Sequence, residues 1–307
     1  MDIFVTGGAG FIGSNFVHYL LRETEHQVHV LDLLTYAGDY ANLEPSSNSD
    51  RLNFKKGDIR DESIVKEWMS TADVLVNFAA ESHVDRSIER AAPFVLTNIG
   101  GTQNLLDTAI ETDIELFIQI STDEVYGEIN YGSFSEDARL APRNPYAATK
   151  AGADYLAMSY YQTYDLPLVI TRTSNNFGPY QHKEKLIPKL ITRASRGDRL
   201  PIYGDGTNVR EWTYVEDNCR GLNLVLNEGQ VGEVYNIGSG VEFSNIEVAK
   251  KVVETMDVDE SLIKFVEDRP GHDQRYSLDS SKIRKLGWKP KWSFNEGLAQ
   301  TVKYYVD

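Results

Sequence analysis

Cysteine is nearly absent from the sequence, with one residue, Cys219, among 307. A single thiol cannot form an internal disulfide, which excludes a disulfide-rich scaffold and is consistent with a reducing compartment. No Cys–His spacing near Cys219 suggests a thiol nucleophile or a metal site. We therefore expect Cys219 to be a core or helix residue and the protein to have no metal centre.

Long apolar runs are missing as well. No stretch approaches the roughly 20 residues that cross a bilayer, and Asp2 leads directly into a strand pattern rather than a signal peptide. Basic residues are outnumbered, 31 against 46 acidic ones, which gives a net charge of −15. That charge repels nucleic acid and anionic membranes. We expect a cytoplasmic protein with neither as a partner.

What the sequence does contain is an alternation of short apolar runs with helical patterns through the first 175 residues. Such runs, apolar throughout rather than alternating, are typical of parallel strands covered on both faces. The pattern predicts an α/β fold: a Rossmann-type, doubly wound parallel sheet with a smaller C-terminal α/β substrate lobe. We expect an NAD-binding domain over 1–175, with a return segment near 212–239, and a lobe over 176–307 that mainly binds the substrate.

A glycine-rich turn separates the first predicted strand from the first helix. Glycines at such a turn let the backbone approach a pyrophosphate, and the helix N-terminus offers N–H groups and partial positive charge to that anion. Asp32 lies at the end of the second strand. Its carboxylate can accept hydrogen bonds from the ribose hydroxyls and would repel a 2′-phosphate, which favours NAD over NADP. The residues predicted to contact NAD here are Gly7, Gly10, Phe11, Ile12, Gly13 and Asp32.

Two further segments are candidates for the same cofactor site. Asp58, followed by Ile59, comes after a strand and could accept the adenine amino group; a turn or helix-capping role is the alternative. Ala79 and Ala80 follow the fourth strand, where small side chains let a cofactor lie against the sheet edge. Ordinary tight packing would explain the alanines equally simply.

Tyr146 and Lys150 are four residues apart in a helical pattern and so share one face. A free tyrosine has a pKa of about 10 and is a poor base at neutral pH. A nearby ammonium and the positive nicotinamide ring would lower that pKa. Tyr146 could then remove a proton from a sugar hydroxyl while NAD accepts the hydride. The spacing alone also occurs by chance on amphipathic helices.

Thr122, Asp123 and Glu124 close the fifth strand, at the edge of the sheet that faces the ligand crevice. Thr122 could bind the reacting hydroxyl beside Tyr146. Two adjacent carboxylates in a cleft repel each other, and burial raises their pKa values further, so one can remain protonated while the other ionises. An elimination of water needs such an acid and base, whereas simple hydride transfer does not. The alternative is a loop-capping or solvated carboxylate.

These motifs, taken together, resemble the extended short-chain dehydrogenase/reductase superfamily and, within it, the dTDP-glucose 4,6-dehydratases along nearly the whole chain. The segments that carry the resemblance are 79–87, 121–127, 174–180, 184–188 and 268–273. The resemblance implies oxidation of a nucleotide sugar at C4 by NAD, loss of water across C5–C6, and reduction at C6. It assigns Glu124 as the base at C5 and Asp123 as the acid at the C6 hydroxyl.

The resemblance also implies contacts to the nucleotide sugar, beyond those of Thr122. Arginine is suited to diphosphate because its planar fork pairs with phosphate oxygens. For His83 a structural role is the alternative, and for Lys185 and Arg210 a surface charge. The residues implied are Ser82, His83, Asn175, Lys185, Leu186, Arg210, Asn245, Arg269, His272 and Tyr276.

Other functions and details stay open at this point. A sugar 4-epimerase would use the same cofactor and the Tyr146/Lys150 pair but needs no acid/base pair, and related decarboxylases usually have Ser at position 123. A non-catalytic NAD-binding protein would not need the complete set of candidate catalytic residues, which are Thr122, Asp123, Glu124, Tyr146 and Lys150. Thymine and uracil differ by one methyl, so dTDP and UDP are not separated. The resemblance and the outer faces of two predicted helices, 93–112 and 146–164, suggest a homodimer.

Overall fold

The largest element of the fold is a seven-stranded, fully parallel sheet in a computed structural model that describes residues 1–268 and 272–306. Its strands run in the order β10-β6-β5-β4-β1-β2-β3, which confirms the predicted Rossmann-type sheet. The strands are β1 Asp2–Thr6, β2 Gln27–Asp32, β3 Leu52–Lys56, β4 Val74–Asn77, β5 Leu116–Thr122, β6 Leu168–Thr173, β7 Asn175–Phe177, β8 Leu200–Tyr203, β9 Val209–Tyr214, β10 Val234–Ile237, β11 Glu242–Ser244 and β12 Ile263–Val266.

Helices cover both faces of this sheet and build most of the second lobe. One of them starts as a short helical turn and widens into a π-helical segment, Val95–Gly101, before it continues as an α-helix. The helices are α1 Phe11–Glu23, α2 Glu62–Met69, α3 Val84–Glu89, α4 Ala92–Phe94, α5 Thr102–Glu111, α6 Pro145–Tyr164, α7 Leu186–Ala194, α8 Val215–Glu228, α9 Asn245–Met256, α10 Ser281–Lys285 and α11 Phe294–Val306.

The sheet separates two hydrophobic cores. Phe16 and Val17 of α1 belong to the core on one face, and Leu105 of α5 and Phe117 of β5 belong to the core on the other. Every residue of β4 and β6 is buried, as expected for strands covered on both sides. Because the strands are parallel and held in register, their carboxyl ends meet at one edge, where Thr122 pairs with Thr173.

The second lobe is smaller and uses two short sheets, β11-β9-β7 and β12-β8. Helices α7, α9 and α11 pack on them around a third core that includes Leu190, Trp212 and Val252. The chain returns to the large sheet between the segments of this lobe: α8 packs against α1, and β10 becomes the edge strand beside β6. The division into domains at residue 175 stays a prediction. Within the two described ranges, no helix is both long and apolar enough to cross a bilayer.

Candidate active site

A cleft of about 590 Å³ opens at the carboxyl ends of the parallel strands. The loops that follow β1, β2, β4, β5 and β6 all contribute to its wall. It therefore lies where ligands bind in open α/β sheets. Of the residues predicted from the sequence, the cleft is lined by Gly7, Gly10, Phe11, Ile12, Gly13, Asp32, Asp58, Ile59, Ala79, Ala80, Ser82, His83, Thr122, Asp123, Glu124, Tyr146, Lys150, Asn175 and Lys185.

The glycine turn fits a group that approaches the backbone closely. Gly7 has a φ of 68°, in the left-handed region, and a Cβ added there would lie 2.6 Å from the Ala79 nitrogen. A Cβ on Gly13 would overlap the Gly7 carbonyl oxygen. Gly10 is the N-cap of α1, so no capping side chain shields the first N–H groups of the helix. The turn thus leaves a bare helix N-terminus for a pyrophosphate.

Asp32 ties this turn to the end of β2. One carboxylate oxygen accepts the Ala9 N–H at 2.9 Å, and the other accepts the Leu34 N–H at 2.8 Å. Burial raises the pKa of Asp32, and the two backbone N–H groups oppose that rise. Each oxygen keeps a further lone pair that could accept a ribose hydroxyl. The position and donor set fit the adenosine ribose of a dinucleotide.

Asp58 makes a local ion pair at the rim of the cleft. Both of its oxygens bind the Arg60 guanidinium, with a shortest distance of 2.5 Å. Burial acts to raise the pKa of Asp58, but the hydrogen bonds with Arg60 outweigh it and leave the pKa lowered. The carboxylate therefore has a protein partner, and Asp58 and Ile59 both line the cleft. Contact between Asp58 and an adenine amino group stays a prediction.

Tyr146 and Lys150 lie one turn apart on α6, both against the cleft. The Lys150 ammonium donates to the Ile120 carbonyl at 2.5 Å, and burial lowers its pKa to about 8. Around Tyr146, burial raises the pKa first, and the charge of Glu124 raises it further, while a hydrogen bond with Thr122 lowers it. The protein groups therefore shift the pKa of Tyr146 opposite to the direction expected from its spacing to Lys150.

Thr122, Asp123 and Glu124 form a tight turn at the end of β5. Asp123 is 2% exposed, and its Oδ1 accepts a hydrogen bond from the Thr122 hydroxyl at 3.1 Å. Burial raises the pKa of Asp123 well above its ordinary value, and the charges of Glu124 and Glu211 add to the rise. Glu124 is only partly buried and accepts the Asn144 amide at 3.0 Å. The pair thus offers a buried carboxyl group with a raised pKa beside a more accessible one.

Four residues of the predicted substrate side also face the cleft: Ser82, His83, Asn175 and Lys185. The Lys185 ammonium donates to the Ser82 carbonyl at 3.1 Å, which joins the second lobe to the loop after β4. His83 lies 3.3 Å from Glu184, and burial is the main cause that lowers its pKa. These contacts place one cation and a neutral imidazole at the boundary of the two lobes.

Other predicted substrate contacts lie outside the lining of this cleft. Arg210 is buried, stacks 4.6 Å from the Tyr276 ring, and donates to the Asp273 carbonyl at 2.9 Å. Its charge lowers the pKa of Asp123, so it lies within electrostatic reach of the acid pair. Leu186 begins α7 and packs against the core of the second lobe, Asn245 is the buried first residue of α9, and His272 pairs with Asp268 at 2.7 Å. Arg269 lies outside the described residues.

Sequence reasoning missed part of the cleft wall. Tyr36 lies in the loop after Asp32, and the Arg86 guanidinium stacks 3.8 Å from its ring. Gly38 packs against Asp32, and Gln181 and His182 complete the wall from the second lobe. The position of Tyr36 and Gly38 directly after an acidic strand end was an available signal. For Gln181 and His182 the sequence carries no comparable signal.

Fold and site together define the class of protein, an extended short-chain dehydrogenase/reductase. The sequence profile of the GDP-mannose 4,6 dehydratase family matches residues 4–301, and the chain belongs to this family. It is 62% identical to the low-salt glycan biosynthesis protein Agl12 of Haloferax volcanii, over 100% of this chain and 99% of that protein. It is 49% identical to a dTDP-glucose 4,6-dehydratase of an Actinoplanes species, over 99% and 98%.

A solved structure agrees with these relatives. The crystal structure of DesIV, a dTDP-glucose 4,6-dehydratase from Streptomyces venezuelae with NAD bound, superposes with a TM-score of 0.97. The two chains are 50% identical, and the match covers 99% of this chain and 97% of DesIV. The similarity therefore includes both lobes and the cleft between them.

Proposed function

We propose that this protein is an NAD-dependent dTDP-glucose 4,6-dehydratase, a hydro-lyase that converts dTDP-glucose to dTDP-4-keto-6-deoxyglucose and water. The observation that carries the proposal is the burial of Asp123, which raises its pKa, beside Glu124 and in the same cleft as Tyr146 and Lys150. An oxidation followed by elimination requires an acid, a base and a pair such as Tyr146 and Lys150 that removes the hydroxyl proton beside the cofactor, all in one cleft. The relatives that bear this activity in their names support the substrate.

The glycine turn, Asp32 and the small Ala79 would hold NAD, whose nicotinamide, when bound, takes the C4 hydride and later returns it to C6. Tyr146 would remove the proton from the C4 hydroxyl, assisted by Thr122. Because the protein groups raise the pKa of Tyr146, the phenolate needs a further positive charge beside it. Lys150, with a pKa of about 8, is still mostly protonated at neutral pH and is one source of that charge.

The elimination would be carried out by the carboxyl groups of Asp123 and Glu124. A keto group at C4 acidifies the C5 proton, and Glu124 would remove it. Asp123 would donate its proton to the departing C6 hydroxyl, which leaves as water. When the hydride is returned to C6, Glu124 would give its proton back to C5, and the proton that Tyr146 took from the C4 hydroxyl would replace the one lost by Asp123. The raised pKa of Asp123 favours the protonated form from which this transfer starts, and the proton is transferred when a stronger base develops on the leaving oxygen.

Two alternatives share this cleft. A 4-epimerase would need Tyr146 and Lys150 but would have no task for a buried neutral Asp123. A UDP-glucose 4,6-dehydratase would perform identical chemistry on a base that lacks one methyl, a difference of about 1–3 kcal/mol in a pocket. The names of the relatives favour dTDP over UDP.

The test is a product analysis with purified protein and two substrates, dTDP-glucose and UDP-glucose. We expect the mass of the sugar nucleotide to fall by one water, without net reduction of NAD, and faster with dTDP-glucose. A product of unchanged mass would identify an epimerase and contradict the proposal. Faster loss of water from UDP-glucose would keep the reaction and correct the nucleotide.

The product and the relatives also suggest a setting. A 4-keto-6-deoxy sugar nucleotide is a precursor of deoxysugars such as rhamnose, which enter polysaccharides, and one relative is named for glycan biosynthesis. Both NAD and sugar nucleotides are cytoplasmic metabolites, so the proposed place of action is the cytoplasm. Extracts that lack the protein should lose the 4-keto-6-deoxy intermediate if this setting is right.

The proposed assembly is a homodimer. Two adjacent helices, α5 and α6, leave large apolar side chains exposed on their outer faces: Ile110 is 38% exposed, Tyr155 is 61% and Tyr164 is 58%. The π-helical segment adds Val95, which is 46% exposed. Contiguous apolar surface on a helix pair is typical of protein–protein contact, and pairing two copies would give a four-helix bundle.

A further inference from the structure

The side-chain amide of Asn144 makes two hydrogen bonds, one to the helix that carries Tyr146 and one to Glu124, the proposed base of the elimination. Its carbonyl oxygen accepts the Ala147 N–H at 2.8 Å and so caps the N-terminus of α6. Its amide nitrogen donates to the Glu124 carboxylate at 3.0 Å. The side chain is 8% exposed, so little water is available to replace either bond.

The capping bond fixes the first turn of the helix that carries Tyr146. Pro145 occupies the first helical position, where its missing N–H is not needed, and Tyr146 follows it directly. The Tyr146 N–H is held separately by the Ser87 hydroxyl at 3.2 Å. The position of Tyr146 therefore depends on Asn144 only through the cap, which other capping residues can also provide.

The bond to Glu124 has no such substitute among the hydrogen bonds that the described chain makes to this carboxylate. A hydrogen bond from a neutral amide stabilises the ionised form of a carboxylate and restricts its orientation. Glu124 needs both properties to remove a proton from a carbon atom.

We infer that Asn144 is a positioning residue that holds the Glu124 carboxylate in a fixed orientation toward the cleft, and so sets the rate of elimination separately from oxidation at C4. The inference rests on the proposed function. It assigns to Asn144 a role that touches neither cofactor nor sugar. Its effect on the reaction passes through Glu124.

Two substitutions separate capping from positioning. Asn144→Ser keeps an oxygen that caps the helix but removes the amide donor. Asn144→Asp keeps the cap and the size of the side chain but places a carboxylate against Glu124. Because Ser and Asn cap helices about equally well, Asn144→Ser should retain the wild-type Tm and affinity for NAD, whereas Asn144→Asp also places two carboxylates together and should lower Tm.

With dTDP-glucose in single turnovers, we expect both variants to reduce the bound cofactor at a rate within about threefold of wild type, while water loss slows by about 10-fold or more. The reduced cofactor should then accumulate, which is seen by its absorbance. For Asn144→Asp, the added carboxylate lies against Glu124 and should slow water loss at least as much as Asn144→Ser does. Wild-type water loss in both variants would overturn the inference.

The wild-type protein distinguishes the inference from the function on which it rests. If wild type releases no water from dTDP-glucose, the proposed function fails. If wild type releases water and Asn144→Ser slows oxidation and elimination equally, Asn144 serves the helix alone and the positioning role is wrong. Asn144→Ala, which removes both bonds, should lower Tm as well and gives the size of the capping contribution.

Discussion

Asp123 is the residue whose environment departs most clearly from that of an exposed carboxylate. It is 2% exposed, and its second oxygen has no hydrogen-bond partner within the part of the chain that the structure describes. Burial without a partner favours the neutral form. Adjacent acidic residues predicted an acid/base pair from the sequence. Which member stays protonated follows only from the fold, because the charge of the buried Glu211 acts on Asp123 from a distant strand.

The raised pKa of Asp123 makes stability depend on pH in a defined direction. A carboxyl group with a folded pKa above its ordinary value of 3.8 adds stability below pH 3.8, and this is lost as pH rises through the folded pKa. Each tenfold increase in the proton affinity of the folded state over the unfolded state costs about 1.4 kcal/mol of stability once the pH is above both pKa values. Asp123→Asn should therefore raise Tm at pH 7 by a few degrees, and the difference from wild type should vanish near pH 4.

Asp217 is a matched control for that measurement, since it is equally buried but fully hydrogen-bonded. Its oxygens accept the N–H groups of Lys291 and Trp292, and its Oδ1 also binds Arg220 at 2.8 Å. Asp217→Asn replaces one acceptor by a donor and should destabilise the protein by about 1–3 kcal/mol. The measurement is the thermal unfolding of both variants and of wild type at pH 7 and near pH 4. If Asp123→Asn unfolds at a lower temperature than wild type at pH 7, Asp123 is ionised and the assignment of the acid is wrong.

Tyr146 shows where reasoning from residue spacing stops. The four-residue interval to Lys150 indicates a shared helix face, which the structure has. The interval does not reveal that the Lys150 ammonium is directed at the Ile120 carbonyl, or that Glu124 lies near the phenol. Both depend on how β5 and α6 pack together. The sequence does not reveal the two side-chain hydrogen bonds of Asn144 for the same reason.

At the scale of elements, the apolar runs at 3–6, 28–31, 52–56, 74–78, 116–120 and 168–171 predict the first six strands to within about two residues of their observed bounds, because buried parallel strands are continuous apolar runs between turn residues. The stretch predicted to be helical near 93–112 is helical, but it contains the π-helical segment Val95–Gly101, which the sequence pattern did not predict. At its end, Gly101 packs against Ile59, where a Cβ would overlap the isoleucine side chain. Such a close approach depends on tertiary packing and has no periodic signal.

The glycine turn between β1 and α1 allows a test at this scale. In Gly13→Ala the added methyl would meet the Gly7 carbonyl, a backbone atom that cannot rotate away. We expect lower stability, by about 1–3 kcal/mol, and weaker binding of NAD because the turn must widen. Gly100→Ala is the matched control, since its nearest neighbour would be 4.0 Å away. Unchanged NAD affinity in Gly13→Ala, measured by calorimetry, would contradict the assignment of this turn to the cofactor.

At the scale of the whole molecule, the proposed dimer makes a prediction about the outer face of α6. Tyr155→Glu introduces like charges on both copies of the four-helix bundle and should shift sedimentation at micromolar protein from dimer toward monomer. Tyr131→Glu, at a loop residue that is 91% exposed, is the control and should leave the assembly unchanged. A wild-type protein that sediments as a monomer would remove the proposal.

The cleft also belongs to the whole molecule, because both lobes contribute to it. The large sheet supplies the glycine turn, Asp32 and the acid pair. The second lobe supplies Lys185, which reaches back to the Ser82 carbonyl, and Arg210, which acts electrostatically on Asp123. The sequence indicated the first set from its own motifs and the second through family resemblance, but the distances between them follow only from the packing of the lobes.

The central claim is that oxidation at C4 and removal of water are carried out by different side chains. Single turnovers of the double variant Asp123→Asn, Glu124→Gln with dTDP-glucose test it most directly, by following cofactor absorbance and product mass together. We predict that the cofactor is still reduced, while loss of water falls by about 10²-fold or more. Water loss at the wild-type rate in this variant would contradict the account.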